Sequence, residues 1–180
     1  LGRWVESNGT EIPADWNSKQ RFNDVPVNGK DEELVKYAAL VKDAGVFTGS
    51  NGNLMAGNNI TRQQMAKVLN GAYEAVNGVS LVELAENIDD KLIQDLATSQ
   101  QEFEGYIQAL VDLEISTVSV FRPSENVTRA QFAKFLYNTI NLETVADASV
   151  KAINNTTVEV TFEEEVTDAK VLDFAIEGLT

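Results

Sequence analysis

Asn59-Ile60-Thr61-Arg62-Gln63-Gln64-Met65-Ala66-Lys67-Val68-Leu69 is echoed by Asn126-Val127-Thr128-Arg129-Ala130-Gln131-Phe132-Ala133-Lys134-Phe135-Leu136, each residue lying 67 positions after its counterpart. An ungapped echo at a fixed interval marks an internal repeat. Upstream, Leu34, Tyr37, Ala38 and Val41 correspond to Phe103, Tyr106, Ile107 and Leu110 at an interval of 69, so the intervening loop is two residues shorter in the second copy. In both halves of each copy the apolar residues recur at i, i+3, i+4 and i+7, which lines one face of a helix. Each copy therefore reads as helix, loop, helix. The second helix is expected to bury Met65, Val68, Leu69 and Ala72 in one copy and Phe132, Phe135, Leu136 and Thr139 in the other.

Outside the copies the pattern changes. Leu1-Gly2-Arg3-Trp4-Val5 fits the end of such a second helix, with Leu1 in register with Leu69 and Leu136, and is read as the remnant of an earlier copy. A polar stretch holding Pro13 and Pro26 follows it. Asn77, Gly78 and Ser80 separate the two full copies, with a short extra helix expected around Val82 to Leu84. From about Val150 the period becomes two: Val158, Val160 and Phe162 alternate with Glu159 and Thr161, after a turn signal at Asn154-Asn155. That is a hairpin opening a new domain, yet about 35 residues cannot close a sandwich of roughly 100.

Composition narrows the chemistry. The 180 residues carry 14 Lys and Arg against 28 Asp and Glu, a net charge of −14 that would repel a nucleic-acid backbone over most of the surface. With no His and no Cys, triads based on His, thiol nucleophiles, disulfides and the usual zinc sites are all missing. No carboxylate pair stands out by spacing either. The chain is read as non-catalytic, with no catalytic residue and no metal ligand assigned. No apolar run approaches the roughly 20 residues needed to cross a bilayer, so membrane insertion is not expected. No motif calls for a cofactor. Asp24 is read as an N-cap or turn former, there being no EF-hand spacing around it, and calcium is left as an option that no motif indicates.

Phe22-Asn23-Asp24-Val25, the helix end Ala44-Gly45-Val46-Phe47-Thr48-Gly49, the loop Asn51-Gly52-Asn53-Leu54 and Ile60-Thr61-Arg62 together resemble the S-layer homology (SLH) repeat. In the second copy Ile93-Gln94-Asp95-Leu96 stands for the opening, Glu114 replaces the helix-closing Gly, and Phe121-Arg122-Pro123 forms the loop. The resemblance spans about Phe22 to Leu142 and implies a mainly α fold, with SLH repeats in a pseudo-threefold bundle. The alternating tail resembles the first strands of an immunoglobulin-like domain. The expected organisation is a remnant repeat and linker at 1–19, repeats at 20–76 and 77–144, and the start of the β domain at 145–180.

By that resemblance the chain would anchor a surface-layer protein to the wall of a bacterium, expected to be Gram-positive, by binding an anionic secondary cell-wall polysaccharide in grooves between repeats. The polymer is often pyruvylated N-acetylmannosamine, and neighbouring copies in a two-dimensional array are the other expected partners. Two alternatives stand beside it: a lattice-forming protein contact module, or the anchoring part of an exported wall hydrolase.

The repeated motif supplies the site expectation. Thr61 with Gln64, and Thr128 with Gln131, match a capping box. Arg62 and Arg129 do not fit capping, because a cation in the first helical turn faces the positive end of the dipole. An arginine beside a helix start with unbonded amides makes a receptor for a carboxylate or phosphate. The competing reading pairs each arginine with Asp24 or Asp95. Thr61, Arg62, Gln64, Thr128, Arg129 and Gln131 are thus the candidate polysaccharide contacts, with Trp16 as a sugar-stacking residue. Lys67 and Lys134 are read as solvated helix charges, and Tyr37 and Tyr106 as core.

Overall fold

The computed structural model describes residues 1–142, 148–154 and 157–162. It divides into two compact units, Leu1–Leu142 and Glu143–Thr180. The first is helical: α1 (Gly2–Ser7), α2 (Glu32–Asp43), α3 (Arg62–Asn77), α4 (Leu81–Ala85), α5 (Glu104–Asp112) and α6 (Arg129–Ile140), with single 3-10 turns at Leu96–Thr98 and Gln101–Phe103. In the second unit β1 (Ala148–Asn154) pairs antiparallel with β2 (Thr157–Phe162), Val150 opposite Val160 and Lys151 opposite Glu159, with a register irregularity between Ala152 and Asn154. The turn residue Asn155 and the run Glu163-Glu164-Glu165 lie outside the described residues. No helix among the described residues is long and apolar enough to cross a membrane.

The helices begin where their caps are. Thr61 and Gln64 bond reciprocally at the start of α3, Gln64 N donating to Thr61 Oγ1 at 3.4 Å and Thr61 N to Gln64 Oε1 at 3.0 Å. Thr128 and Gln131 repeat this at α6, at 3.2 and 2.9 Å. Ser80 and Glu83 form a third such box at α4. Each box satisfies amides that a helix start would otherwise leave unbonded.

Helix ends repeat as faithfully. At the end of α2, Ala44 N donates to Leu40 O, Gly45 N to Lys42 O and Phe47 N to Val41 O; at the end of α5, Leu113 N donates to Ala109 O, Glu114 N to Val111 O and Ser116 N to Leu110 O. Every one of these pairs is displaced by 69, and Gly45 at φ +74° is matched by Glu114 at φ +59°. A glycine is the usual choice there, because a Cβ in the left-handed region is strained. Glu114 reaches Lys91 Nζ at 2.8 Å, which accompanies the strain without removing it.

Two clusters hold the repeats together. One joins α3, α4, α5 and α6 around Met65, Leu69, Leu81, Ile107, Leu110 and Phe121, each fully buried. The other packs Val5 of α1 against Leu40, Val46, Val68 and Ala72. The apolar face expected of α6 is only partly covered: Phe135 and Thr139 are buried, whereas Phe132 and Leu136 are half-buried. The segment before α2 is tied down by Arg21, whose side chain is 6% exposed and which bonds Asp15 at 2.5 Å and Asp43 at 2.6 Å. Those hydrogen bonds, Asp43's first, hold its guanidinium above its ordinary pKa.

Candidate functional site: an inter-repeat groove

The opening of each repeat contributes one aspartate, and both do the same work. Asp24 accepts the amides of Leu54 and Met55, each at 2.7 Å, and Asp95 accepts those of Phe121 at 2.7 Å and Arg122 at 2.6 Å. The second donating residue is left-handed in both repeats, Met55 at φ +59° and Arg122 at φ +58°. One residue earlier, Asn23 N donates to Gly52 O and Gln94 N to Ser119 O. Asp24 is thus the turn former of its two expected roles rather than a helix N-cap, and neither aspartate forms an ion pair with Arg62 or Arg129. Each clamps the loop that leads into the second helix of its repeat, and Leu54 and Met55, held by Asp24, line the groove described below.

This clamp carries a pH signature. Burial alone would push the Asp24 carboxyl up, but the Leu54 and Met55 amides outweigh it and hold it below its ordinary value. A depressed folded pKa means that the carboxylate's contribution is complete above the unfolded pKa, near 4, and fades as pH falls through the folded value. Asp24→Asn should therefore lower the urea midpoint at pH 7, with the gap to the parent closing as pH falls below the unfolded value near 4. A gap constant across that range would contradict the clamp.

Arg62 is 7% exposed. Its Nε donates to Phe121 O at 2.5 Å, and its guanidinium carbon lies 4.7 Å from the Phe121 ring centroid and 5.1 Å from that of Phe135. Burial pulls this guanidinium below its ordinary pKa, against the pull of Glu125 and Asp95. The α3 amides beside it are also engaged: Arg62 N donates to Glu125 O at 2.9 Å and Gln63 N to Pro123 O at 3.0 Å, while Val127 N donates to Ile60 O at 2.9 Å. An anion receptor at the start of α3 would need both the arginine and these amides. They are spent on the loop of the second repeat. The first-turn cation that capping could not explain is a strut between repeats.

Arg129, at the same place on α6, is exposed, as are Thr128 and Gln131. Among the described residues it forms no ion pair, and no loop carbonyl meets its amide. Trp16 is half-buried against Phe22, Val25, Val35 and Ala38, at the rim of a shallow depression shared with Glu6, Pro13 and Lys36. The candidates thus fall in three separate places.

The most enclosed sizeable concavity among the described residues lies between the repeats. It is a groove of about 500 Å³ whose walls are the α2–α3 loop from Gly45 to Ile60, the exposed side of α3, and residues 100–106 entering α5. Gln64 is the candidate that lines it. Sequence reasoning missed Lys67, Glu102 and Tyr106 as groove residues. Tyr106 is half-buried and presents one side to the groove, and Lys67 Nζ lies 3.5 Å from Glu102 Oε2 and 5.7 Å from the Phe103 ring centroid. Asn58, Asn59 and Asn70 add amides. Gly71 lets the helix approach the turn: a Cβ there would meet Val46 Cα at 3.2 Å. Aromatic faces flanked by amides and hydroxyls suit sugar rings, which present apolar faces and polar rims. Among the described residues no group of three or more acidic side chains is placed to hold a metal ion.

Similarity to known proteins runs through the same region. An endoglucanase of Bacillus sp. (strain KSM-635) is 32% identical over 115 residues, 63% of this chain and 12% of that protein. An S-layer protein of Bacillus licheniformis is 29% identical over 129 residues, 69% of this chain and 13% of its own length. The chain thus spans about an eighth of the length of these curated relatives. Residues 93–133 match the S-layer homology domain family. That match falls on the second repeat, the one whose sequence departs more from the motif, and it begins two residues before the clamp Asp95 and ends within α6. The similarity to the S-layer homology domain family is thus placed at residues 93–133.

Proposed function

We propose that the helical unit anchors its protein to a bacterial cell wall by holding an anionic secondary wall polysaccharide, with the groove between the two repeats as a binding site. The observation that carries the reading is the groove itself: a concavity of about 500 Å³ with aromatic and amide side chains in its lining, walled by the α2–α3 loop of one repeat and residues 100–106 of the other. The relatives support it from another side. A segment similar to both a protein named an endoglucanase and one named an S-layer protein serves what the two have in common, and catalysis is not that. We take surface attachment as that shared role. We take the chain as non-catalytic and its place as the bacterial cell surface, and we assign Gln64, Lys67 and Tyr106 to the groove. Arg129, with Thr128 and Gln131, is a second contact, being the arginine of the repeated pair that stays open to a carboxylate. A pyruvate ketal on N-acetylmannosamine would supply such a group. The expected assembly is the pseudo-threefold bundle of SLH repeats, with β1 and β2 the first strands of an immunoglobulin-like domain.

The test is co-sedimentation with purified Bacillus licheniformis wall sacculi, intact and after hydrofluoric-acid removal of the secondary polymer. The chain should pellet with intact sacculi and stay in solution with stripped ones. Equal pelleting with both would move the target to peptidoglycan. Pelleting with neither would favour a protein-contact module, for which Leu92 at 80% exposure and Tyr137 at 67% are the most exposed large hydrophobic residues among those described.

A further inference from the structure

Arg62, the cation in the repeated motif, is sealed between repeats, so the groove must recognise negative charge by other means. Among the groove-lining residues Lys67 is the single cation, set against two carboxylates, Glu74 and Glu102. Glu74 is on the same helix, two turns on. Glu102 comes from the other repeat, at the 3-10 turn that leads into α5. The groove therefore carries a net charge of −1 from its own lining, which by itself is a poor welcome for an anion.

The Lys67–Glu102 contact is built to be exchanged. At 3.5 Å it is longer than a well-formed charge-assisted hydrogen bond. Its partners are 39% and 60% exposed, so solvent screens their attraction. The lysine is nonetheless held in position. Its ammonium lies over the Phe103 ring, and Phe103 is buried at 7% exposure. The anchored member is the cation and the more exposed member is the carboxylate. An incoming anion can thus replace Glu102 without moving Lys67.

We propose that Lys67 is the group that discriminates acidic from neutral saccharides in this groove, and that Glu102 is its built-in competitor, displaced by a sugar-borne carboxylate or phosphate. The proposal rests on the groove being a saccharide site. Its consequence is a threshold. A neutral sugar gains nothing from Lys67, and an anion gains only the difference between its own contact and that of Glu102. Loss of the Glu102 charge should then strengthen anion binding, which runs against the usual result of deleting a polar groove residue.

The experiment is NMR titration of the 180-residue chain and of Glu102→Gln and Lys67→Gln with three probes: the methyl glycoside of N-acetylmannosamine, its 4,6-pyruvate ketal, and its 6-phosphate. Glu102→Gln should bind at least one acidic probe about three- to tenfold more tightly, with the neutral glycoside unchanged. Lys67→Gln should bind all three alike. The stronger of the two acidic probes tells whether carboxylate or phosphate is the natural charge. Unchanged or weaker acidic binding in Glu102→Gln, or a surviving preference in Lys67→Gln, overturns the charge-exchange mechanism while leaving the groove as a saccharide site. If no probe shifts the groove resonances of the parent chain, the saccharide site itself falls, and this mechanism with it.

Discussion

Arg62→Ala should destabilise the helical unit by about 3 kcal/mol, while Arg129→Ala, the same change at the matching position, should cost less than about 0.5 kcal/mol. The difference comes from the neighbours. Truncating Arg62 leaves Phe121 O without its 2.5 Å donor in a buried setting, an omission worth about 1–3 kcal/mol, and removes a guanidinium packed on two aromatic rings, worth about 2 kcal/mol when desolvated. Relief of the unfavourable first-turn position returns a few tenths. Arg129 is exposed and has none of these contacts among the described residues. Urea unfolding of both variants measures the contrast, and Arg62→Lys refines it: lysine keeps the charge but cannot reproduce the planar stack, so most of the loss should persist. If the two alanine variants proved equally stable, the inter-repeat strut would be wrong, and the helix-start receptor would again apply to both arginines.

How much of this was legible without coordinates depends on the span of each interaction. The repeat, its helices and its capping boxes were readable because they are local: Thr61 and Gln64 are three residues apart, and the apolar stripe of α3 shows in a single turn-by-turn pass. The Arg62–Phe121 bond joins residues 59 apart, and its acceptor is a backbone carbonyl, which no side-chain pattern announces. The conflict itself was visible, a cation where the dipole disfavours one, and it did mark a residue with work to do. It was assigned to a ligand because the alternative partner lay in the other repeat. Asp24 and Asp95 give a similar lesson. Their equivalence could be read from the chain, whereas their partners are amides 30 and 31, or 26 and 27, residues downstream. Helical spacing places Lys67 beside the core stripe, where a solvated charge is the ordinary expectation. Only the packing of residues 100–106 against α3 turns that flank into a groove wall.

The second large effect is expected at Gly49, and a neighbouring glycine supplies the control. Gly45→Ala should cost about 1 kcal/mol and Gly49→Ala about 3 kcal/mol or more, although both glycines are left-handed, at φ +74° and +73°. At Gly45 an added Cβ meets nothing within 4 Å, so only the backbone conformation is penalised. The chain has already made that substitution once, since the corresponding residue of the second repeat is Glu114 in the same conformation. At Gly49 the Cβ would lie 2.3 Å from Asn53 O and 2.7 Å from the Phe22 ring. Asn53 O also accepts Ser50 N at 2.9 Å in the tight turn around Asn51 and Gly52, and Phe22 is 1% exposed at the centre of its cluster. Neither can move alone. The turn must open, or Phe22 must leave a packed core, and either costs more than the φ penalty. The second repeat avoids the demand by shortening this loop by two residues, which is why no glycine is required there. Because Phe47, Gly49 and Ser50 also wall the groove, Gly49→Ala should weaken saccharide binding even at temperatures where the fold survives, whereas Gly45→Ala should leave binding close to that of the parent. Equal losses of stability at the two positions would mean that the Gly49 loop yields easily, and a groove wall that yields easily could not hold Lys67 and its ligand in the register proposed above.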